Sequence, residues 1–287
     1  IFPKSKIYFP YYGFTKFQQI TQYIFNLNKV EKSKNTEKLF LHIRDIFLNF
    51  EKTLNHFYMK VRLFKPSVGQ EEINELKDVF DRAWLGTGPK AAKFEEEWCK
   101  YIGVNSSLAV NSGTAALHVA LAAFQFPIGK KVLVPDITFA STAFAAIYNQ
   151  LEPIFVDVDE DTISISIEDL ERKYTTDCVA IIPVHMGGHP AQMDKIMEFA
   201  KAKNLKVIED CAHVAGASYK GKMLGTWGDV GCFSFEEKKA MTTGDGGMIS
   251  SNDADLINYM RPVRWLGMDK DVWKRNAGYT DQKKLDA

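Results

Sequence analysis

The stretch "CFSFEEKKAMTTGDGG", residues 232–247, sets two adjacent amines, Lys238 and Lys239, beyond a short apolar run and ahead of a cluster of threonines and glycines. A lysine held in a desolvated setting has its ammonium form disfavoured, and the free amine is a nucleophile toward carbonyls. Most lysines are solvated surface residues, so the pair acquires meaning only from what the rest of the chain supplies. Three other segments carry residues of suggestive type. In "AVNSGTAALHVALAAF", Asn111, Ser112 and Gly113 form a small-residue turn that opens a helix. The free N–H groups and dipole at such a start favour an anion, and Thr114 adds a hydroxyl donor. Ordinary capping by Ser112 needs the same residue types and competes with that reading.

In "VPDITFAST", Phe139 follows an apolar run and either lies against a planar ring or joins the core. In "LKVIEDCAHVAGA", Glu209 and Asp210 close a set of apolar positions, and His213 follows three residues after Asp210. A carboxylate at a buried strand end needs a partner. Asp210 can bond backbone amides or serve a cationic ring nitrogen, and His213 can be a satisfied core histidine. An anion-binding turn, a flat aromatic, a buried carboxylate and an amine together match the phosphate, ring face, ring nitrogen and aldehyde of pyridoxal 5′-phosphate (PLP). The chain has neither GxxxxGK[ST] nor GxGxxG, so its motifs indicate neither a nucleoside triphosphate nor a dinucleotide.

The elements that must position these residues are legible as periodicity. Ile73, Leu76, Val79 and Phe80 fall at helical spacing with Gly86 as a stop, and Pro89 begins a second helix with Phe94, Trp98 and Tyr101 on one stripe, ending near Gly103. Beyond it, "SLAV", "KVLVP", "PIFVDV", "VAIIPVHM" and "LKVIED" alternate with helical stretches from about Thr114, through "FASTAFAAIYN", in "IEDLERKY" and in "AQMDKIMEFAKAKN". That alternation predicts an α/β fold with parallel strands and crossover helices, whose ligands sit at the carboxyl ends of the strands.

Composition narrows the function class. The 287 residues carry 36 basic and 36 acidic side chains and are 46% hydrophobic, so the chain as a whole has no footprint for nucleic acid or an anionic membrane. Cys99, Cys178, Cys211 and Cys232 lack the close pairing of a zinc site and the density of a disulfide scaffold, and no metal is expected. With no segment of transmembrane length, the expectation is a cytoplasmic protein. Residues 1–58 contain no alanine, tryptophan or cysteine and hold nine basic against four acidic residues. They read as an atypical extension, with Met59 opening the working domain, residues 59–287.

From about Lys60 onward the chain resembles the DegT/StrS aminotransferases, PLP enzymes of fold type I that aminate nucleotide-linked keto-sugars. The resemblance rests on "FKPSVGQEEI", "WLGTGPKAAKFEEEW", "NSGTAALHVAL", "VPDITFAST", "PVHMGG", "VIEDCAHVAGA" and "FSFEEKKAMTTGDGG", in that order. It implies a three-layer α/β sandwich like the large domain of aspartate aminotransferase, with a mostly parallel central sheet. It also implies that the chain ends at Ala287 before a C-terminal small domain, which makes a truncated or catalytically silent homologue the alternative reading.

The family's lysine lies five residues after the serine of its FSF motif, so Ser234 points to Lys239 as the Schiff-base residue. By the same matching Gly113, Thr114 and Ser234 hold the phosphate, Phe139 stacks on the ring, Asp210 pairs the ring nitrogen and His213 approaches the ring hydroxyl. Lys239 and Asp210 are then the catalytic residues. The implied partners are an amino-acid donor, glutamate, a nucleotide-linked keto-sugar, and a second copy of the chain in a homodimer. Where many members have "YPTK", this chain has "EEKK", which puts Glu236 and Glu237 beside the lysine.

Overall fold

The computed structural model describes residues 64–268; the 1–58 extension, the Met59 start and the end of the chain at Ala287 lie outside them. Helix α1 spans Gln70–Asp81 and α2 spans Pro89–Ile102. As the sequence indicates, α2 begins at its proline and ends where Gly103 turns left-handed, at φ 79°. The end of α1 differs from expectation, because Ala83 and not Gly86 supplies the left-handed residue, at φ 51°. The Ala83 and Trp84 N–H groups bond back to the Phe80 and Val79 carbonyls, closing the helix with an alanine where glycine is usual.

Seven strands form one sheet: β1 (Ser106–Val110), β2 (Lys131–Pro135), β3 (Glu152–Val156), β4 (Cys178–Ile181), β5 (Lys206–Asp210), β8 (Val230–Ser234) and β9 (Gly247–Ser251). A separate two-stranded hairpin, β6 (Ser218–Tyr219) and β7 (Lys222–Met223), lies between β5 and β8 in sequence. The sheet order is β1-β9-β8-β5-β4-β2-β3. Every neighbouring pair is parallel except those of β9, which runs antiparallel to both β1 and β8. Neither β9 nor the hairpin has a counterpart in the sequence pattern. Strand β9, "GMISS", is buried at every position, so it shows no in-and-out alternation, and its glycine and serines hide it among loop residues.

Helices α3 (Gly113–Ala123), α4 (Ser141–Tyr148), α5 (Ile167–Lys173), α6 (Met193–Lys203) and α7 (Ala254–Val263) cover the sheet. Two separate cores show that both faces are covered. One joins Leu133, Ile181, Val207, Phe233 and Met248 of the sheet to α2, α5 and α6. The other joins Val132, Val134, Ile208, Cys232 and Ile249 to α3, α4 and α7. The fold is therefore a three-layer α/β sandwich around a mostly parallel sheet, as expected. No helix among the described residues is long and apolar enough to cross a membrane.

Trp98 anchors the first core. Its ring meets Phe94, Phe233 and Phe235 with centroids 4.9–6.3 Å away, and its Nε1 donates to Ser250 Oγ at 3.1 Å. Replacing Trp98 by alanine is expected to lower the unfolding free energy by about 3–5 kcal/mol through the cavity it leaves. Urea denaturation monitored by circular dichroism measures the loss, and a change below about 1 kcal/mol would show that this aromatic cluster does not anchor α2.

Candidate active site

Strand direction gathers the chemistry. Because β9 is antiparallel to both its neighbours, β1 points the same way as β8, and the carboxyl ends of β1, β2, β4, β5 and β8 share one edge of the sheet. Gly113 and Thr114 follow β1, Phe139 follows β2, Asp210 ends β5, Ser234 ends β8, and Lys239 lies in the β8–β9 loop. The chain that returns through β9 starts at this edge with Gly247, which faces Val110 on one side and Ser234 on the other.

At the start of α3 the capping reading is met, and it leaves donors beside it. Ser112 does cap the helix, accepting the Ala115 N–H on its side chain at 3.1 Å and the Ala116 N–H on its carbonyl at 3.0 Å. The Gly113 and Thr114 N–H groups find no acceptor among the described residues, which leaves two donors and the helix dipole for an anion. Two glycines permit the close approach. A Cβ on Gly113 would stand 2.8 Å from Ser234 Cβ, and one on Gly247 would stand 2.5 Å from the Ser112 carbonyl oxygen. Ser234 is thereby brought against the helix start, its Oγ accepting the Glu236 N–H at 3.4 Å.

The two carboxylates that end β5 face opposite sides of the sheet and do different things. Asp210, 4% exposed, accepts the Thr142 hydroxyl at 2.8 Å on Oδ2 and the Ala212 N–H at 3.2 Å on Oδ1. Thr142 in turn lies 2.7 Å from the Thr138 hydroxyl. Glu209 is fully buried and accepts the N–H groups of Gly225, Trp227 and Gly228 at 2.7–2.8 Å, with His185 Nε2 at 3.2 Å. His185 Nδ1 accepts the Ala191 N–H, so Nε2 carries the proton that faces Glu209.

His185, Glu209 and Cys211 bring ligand-type atoms within 4.8 Å of one another. The backbone already occupies the Glu209 oxygens and His185 Nδ1. Burial, aided by the Glu209 charge, pushes the Cys211 thiol well above its ordinary range and keeps it protonated. The cluster works as a brace.

His213 is half-buried and accepts the Gly187 N–H on Nδ1 at 3.1 Å, so a neutral ring presents an Nε2–H. Burial first, then the Lys239 charge, lowers its pKa, while Asp210 pulls it the other way. His213 therefore lies within electrostatic reach of both groups. The two lysines separate in role. Lys238 is exposed, lies 3.7 Å from Glu236 Oε1 and sits over the Phe64 ring. Lys239 is half-buried, and its ammonium has no ion pair among the described residues. Among the described residues, Glu236 of the "EEKK" stretch thus pairs with Lys238 and not with Lys239. Phe139 is 73% exposed, so it is outside the core and its face is available.

The structure thus brings Gly113, Thr114, Phe139, Asp210, His213, Ser234 and Lys239 to one edge. It adds Thr138, Thr142 and His185, to which sequence reasoning gave no role. The only trace of them is the four-residue spacing of the threonines in "TFAST" and the histidine of "PVHMGG".

The sequence profile of the DegT/DnrJ/EryC1/StrS aminotransferase family matches residues 66–283. The spore coat polysaccharide biosynthesis protein SpsC of Bacillus subtilis is 40% identical over 210 residues, covering 73% of this chain and 54% of its own. GDP-perosamine synthase of Escherichia coli O157:H7 is 38% identical over 222 residues, covering 76% and 61%. The X-ray structure of an aminotransferase from Psychrobacter cryohalolentis superposes with a TM-score of 0.66 at 37% identity, covering 69% and 51%. The chain thus spans between about half and three fifths of the length of these proteins.

The electrostatics of the edge can be read directly. In a proton NMR titration, His213 is expected to titrate below the ordinary value of about 6.5. Lys239→Met is expected to raise it, because the neighbouring cation is one of the two causes of the depression. An unchanged value in the variant would place Lys239 away from His213.

Proposed function

Because the chain belongs to the DegT/DnrJ/EryC1/StrS aminotransferase family, we propose that it transfers an amino group, from glutamate, to a nucleotide-linked keto-sugar, using PLP bound at the carboxyl edge of the sheet. One observation carries the reading: among the described residues, N–H donors without acceptors, a buried carboxylate and a lysine without an ion pair lie at that edge. The 38% identity to GDP-perosamine synthase supports a nucleotide-linked sugar as the acceptor.

The residues present fit the cofactor. The Gly113 and Thr114 N–H groups lie beside Ser234, in a space that a side chain at position 113 would fill, and with the Thr114 and Ser234 hydroxyls they are the groups to hold a phosphate. Phe139 offers a free ring face, Asp210 a carboxylate for a protonated ring nitrogen, and His213 an Nε2–H for the ring oxygen. When bound, PLP supplies an aldehyde for the lysine amine and a conjugated ring that accepts electrons when a proton leaves the donor's α-carbon.

The remaining work belongs to the chain. Asp210 keeps the ring nitrogen protonated, and Lys239 takes the proton from the donor's α-carbon and returns it on the other side of the exchange. Lys239 suits that task because Glu236 is directed to its neighbour and because loop bonds hold its backbone, its N–H reaching the Glu236 carbonyl at 2.9 Å.

A homodimer follows as part of the same proposal. Phe139, Phe144, Ile147 and Tyr148 are each 45–73% exposed around α4, next to the site, with the Phe144 and Tyr148 rings stacked at 5.8 Å. An apolar patch of that kind beside a binding edge suits a second copy of the chain.

Protein incubated with PLP is expected to show a visible band that borohydride abolishes, with the reduced adduct mapped to Lys239 by peptide mass. Lys239→Ala is expected to show neither band nor adduct. A folded parent protein with no band and no adduct would sink the enzymatic reading and leave a silent homologue.

A further inference from the structure

The reading above uses Asp210 but leaves unexplained the two hydroxyls behind it. Thr142 is completely buried, and its Oγ1 lies 2.8 Å from Asp210 Oδ2 and 2.7 Å from Thr138 Oγ1. A hydroxyl has one proton and an ionised carboxylate can only accept, so the Thr142 proton goes to Asp210 and the Thr138 proton goes to Thr142. The direction of this relay is therefore set by the charge at its end.

Asp210 is 4% exposed, and among the described residues no cation lies within ion-pair distance of it. Its two tethers, Thr142 on Oδ2 and the Ala212 N–H on Oδ1, hold both oxygens and stop the carboxylate from rotating. A buried carboxylate anchored on each oxygen, yet lacking a positive partner, is completed by a cationic N–H donor from outside the chain. The same segment carries the aromatic face. Phe139 lies next to Thr138, and its carbonyl accepts the Thr142 N–H at 3.0 Å, so the ring platform and the acid's tether are parts of one turn.

We propose that Thr142, backed by Thr138, is a positioning residue that aims the Asp210 carboxylate at the cofactor's ring nitrogen and ties that aim to the Phe139 platform. The proposal rests on the PLP reading. Its test compares two probes, PLP and the analogue with carbon in place of the ring nitrogen, on the parent protein, Thr142→Val and Thr142→Ser.

The parent is expected to bind PLP more tightly than the analogue. Thr142→Val is expected to weaken PLP binding about tenfold or more, the effect of removing a hydrogen bond to a charged group, while changing the analogue's affinity by less than about twofold. Thr142→Ser, which keeps the hydroxyl, is expected to restore the preference. Equal weakening of both probes in Thr142→Val, or no weakening of either, would overturn the positioning role while leaving the PLP reading intact. A parent that binds both probes equally would also overturn it, since Asp210 would not be reading the nitrogen. A parent that binds neither would overturn the function reading and this proposal with it.

Discussion

Two adjacent carboxylates buried at the end of a central strand are the constraint from which the candidate edge is built. An unpartnered buried carboxylate costs several kcal/mol, so a strand ending in Glu209-Asp210 folds only if donors arrive on both faces of the sheet. Alternation along β5 sends Glu209 to one face and Asp210 to the other. On the first face Glu209 collects three backbone N–H groups of the turn at residues 225–228 and the His185 ring. On the second, Asp210 collects the hydroxyl of Thr142 at the start of α4. Each carboxylate thus recruits a loop, and each loop leads to a residue of the candidate site.

The Glu209 side determines where the lysine stands. The turn that Glu209 holds leads directly into β8, whose pairing with β5 sets Glu209 opposite Gly231 and Asp210 opposite Cys232. Four residues of rigid strand then deliver Ser234. The loop beyond is closed through Phe235, whose N–H reaches the Gly246 carbonyl and whose own carbonyl accepts from Thr243 N–H and Thr242 Oγ1. The threonines that follow the two lysines in sequence are therefore the fastening of the loop, which restricts the volume that Lys239 can sweep. His185 extends the same brace to His213, because the turn following it at Met186–Gly188 supplies the Gly187 N–H that His213 accepts.

The outer frame uses the same device of one buried acid serving several elements. Glu95 of α2 accepts the Ala109 N–H of β1 and faces the guanidinium groups of Arg261 and Arg264 from α7 and its end. Arg264 also reaches the Ala109 carbonyl. The antiparallel edge formed by β1 and β9 is thereby locked to a helix on each face, so that α3, which begins immediately after β1, opens at a defined point beside Ser234.

Much of this was legible in the sequence. Periodicity is a local property, so α2, the crossover helices and the parallel strands followed from the spacing of apolar residues and from Pro89 and Gly103. The positions of the candidate residues directly after strands were legible for the same reason, since strand ends are set by the same local pattern. Burial was less so. The stripe of Ile73, Leu76 and Phe80 marked α1 as a helix, yet these side chains are 57–67% exposed among the described residues, because periodicity records a face and not what covers it. The buried strand β9 escaped because its glycine and serines break the continuous apolar run by which a strand covered on both faces is read.

The choice between Lys238 and Lys239 was not available from composition or spacing, which treat neighbours alike; a family motif pointed to the second, and the side-chain arrangement around Glu236 separates them physically. The Thr142–Asp210 bond that ends the relay joins positions 68 residues apart, and the Glu209 brace gathers four donors from two separate segments. Sequence alone determined which residue types stand at the strand ends, because strand ends are set locally. Only the tertiary structure decided which donors meet which acid, because a buried charge takes its partners from whatever the fold brings within hydrogen-bond reach.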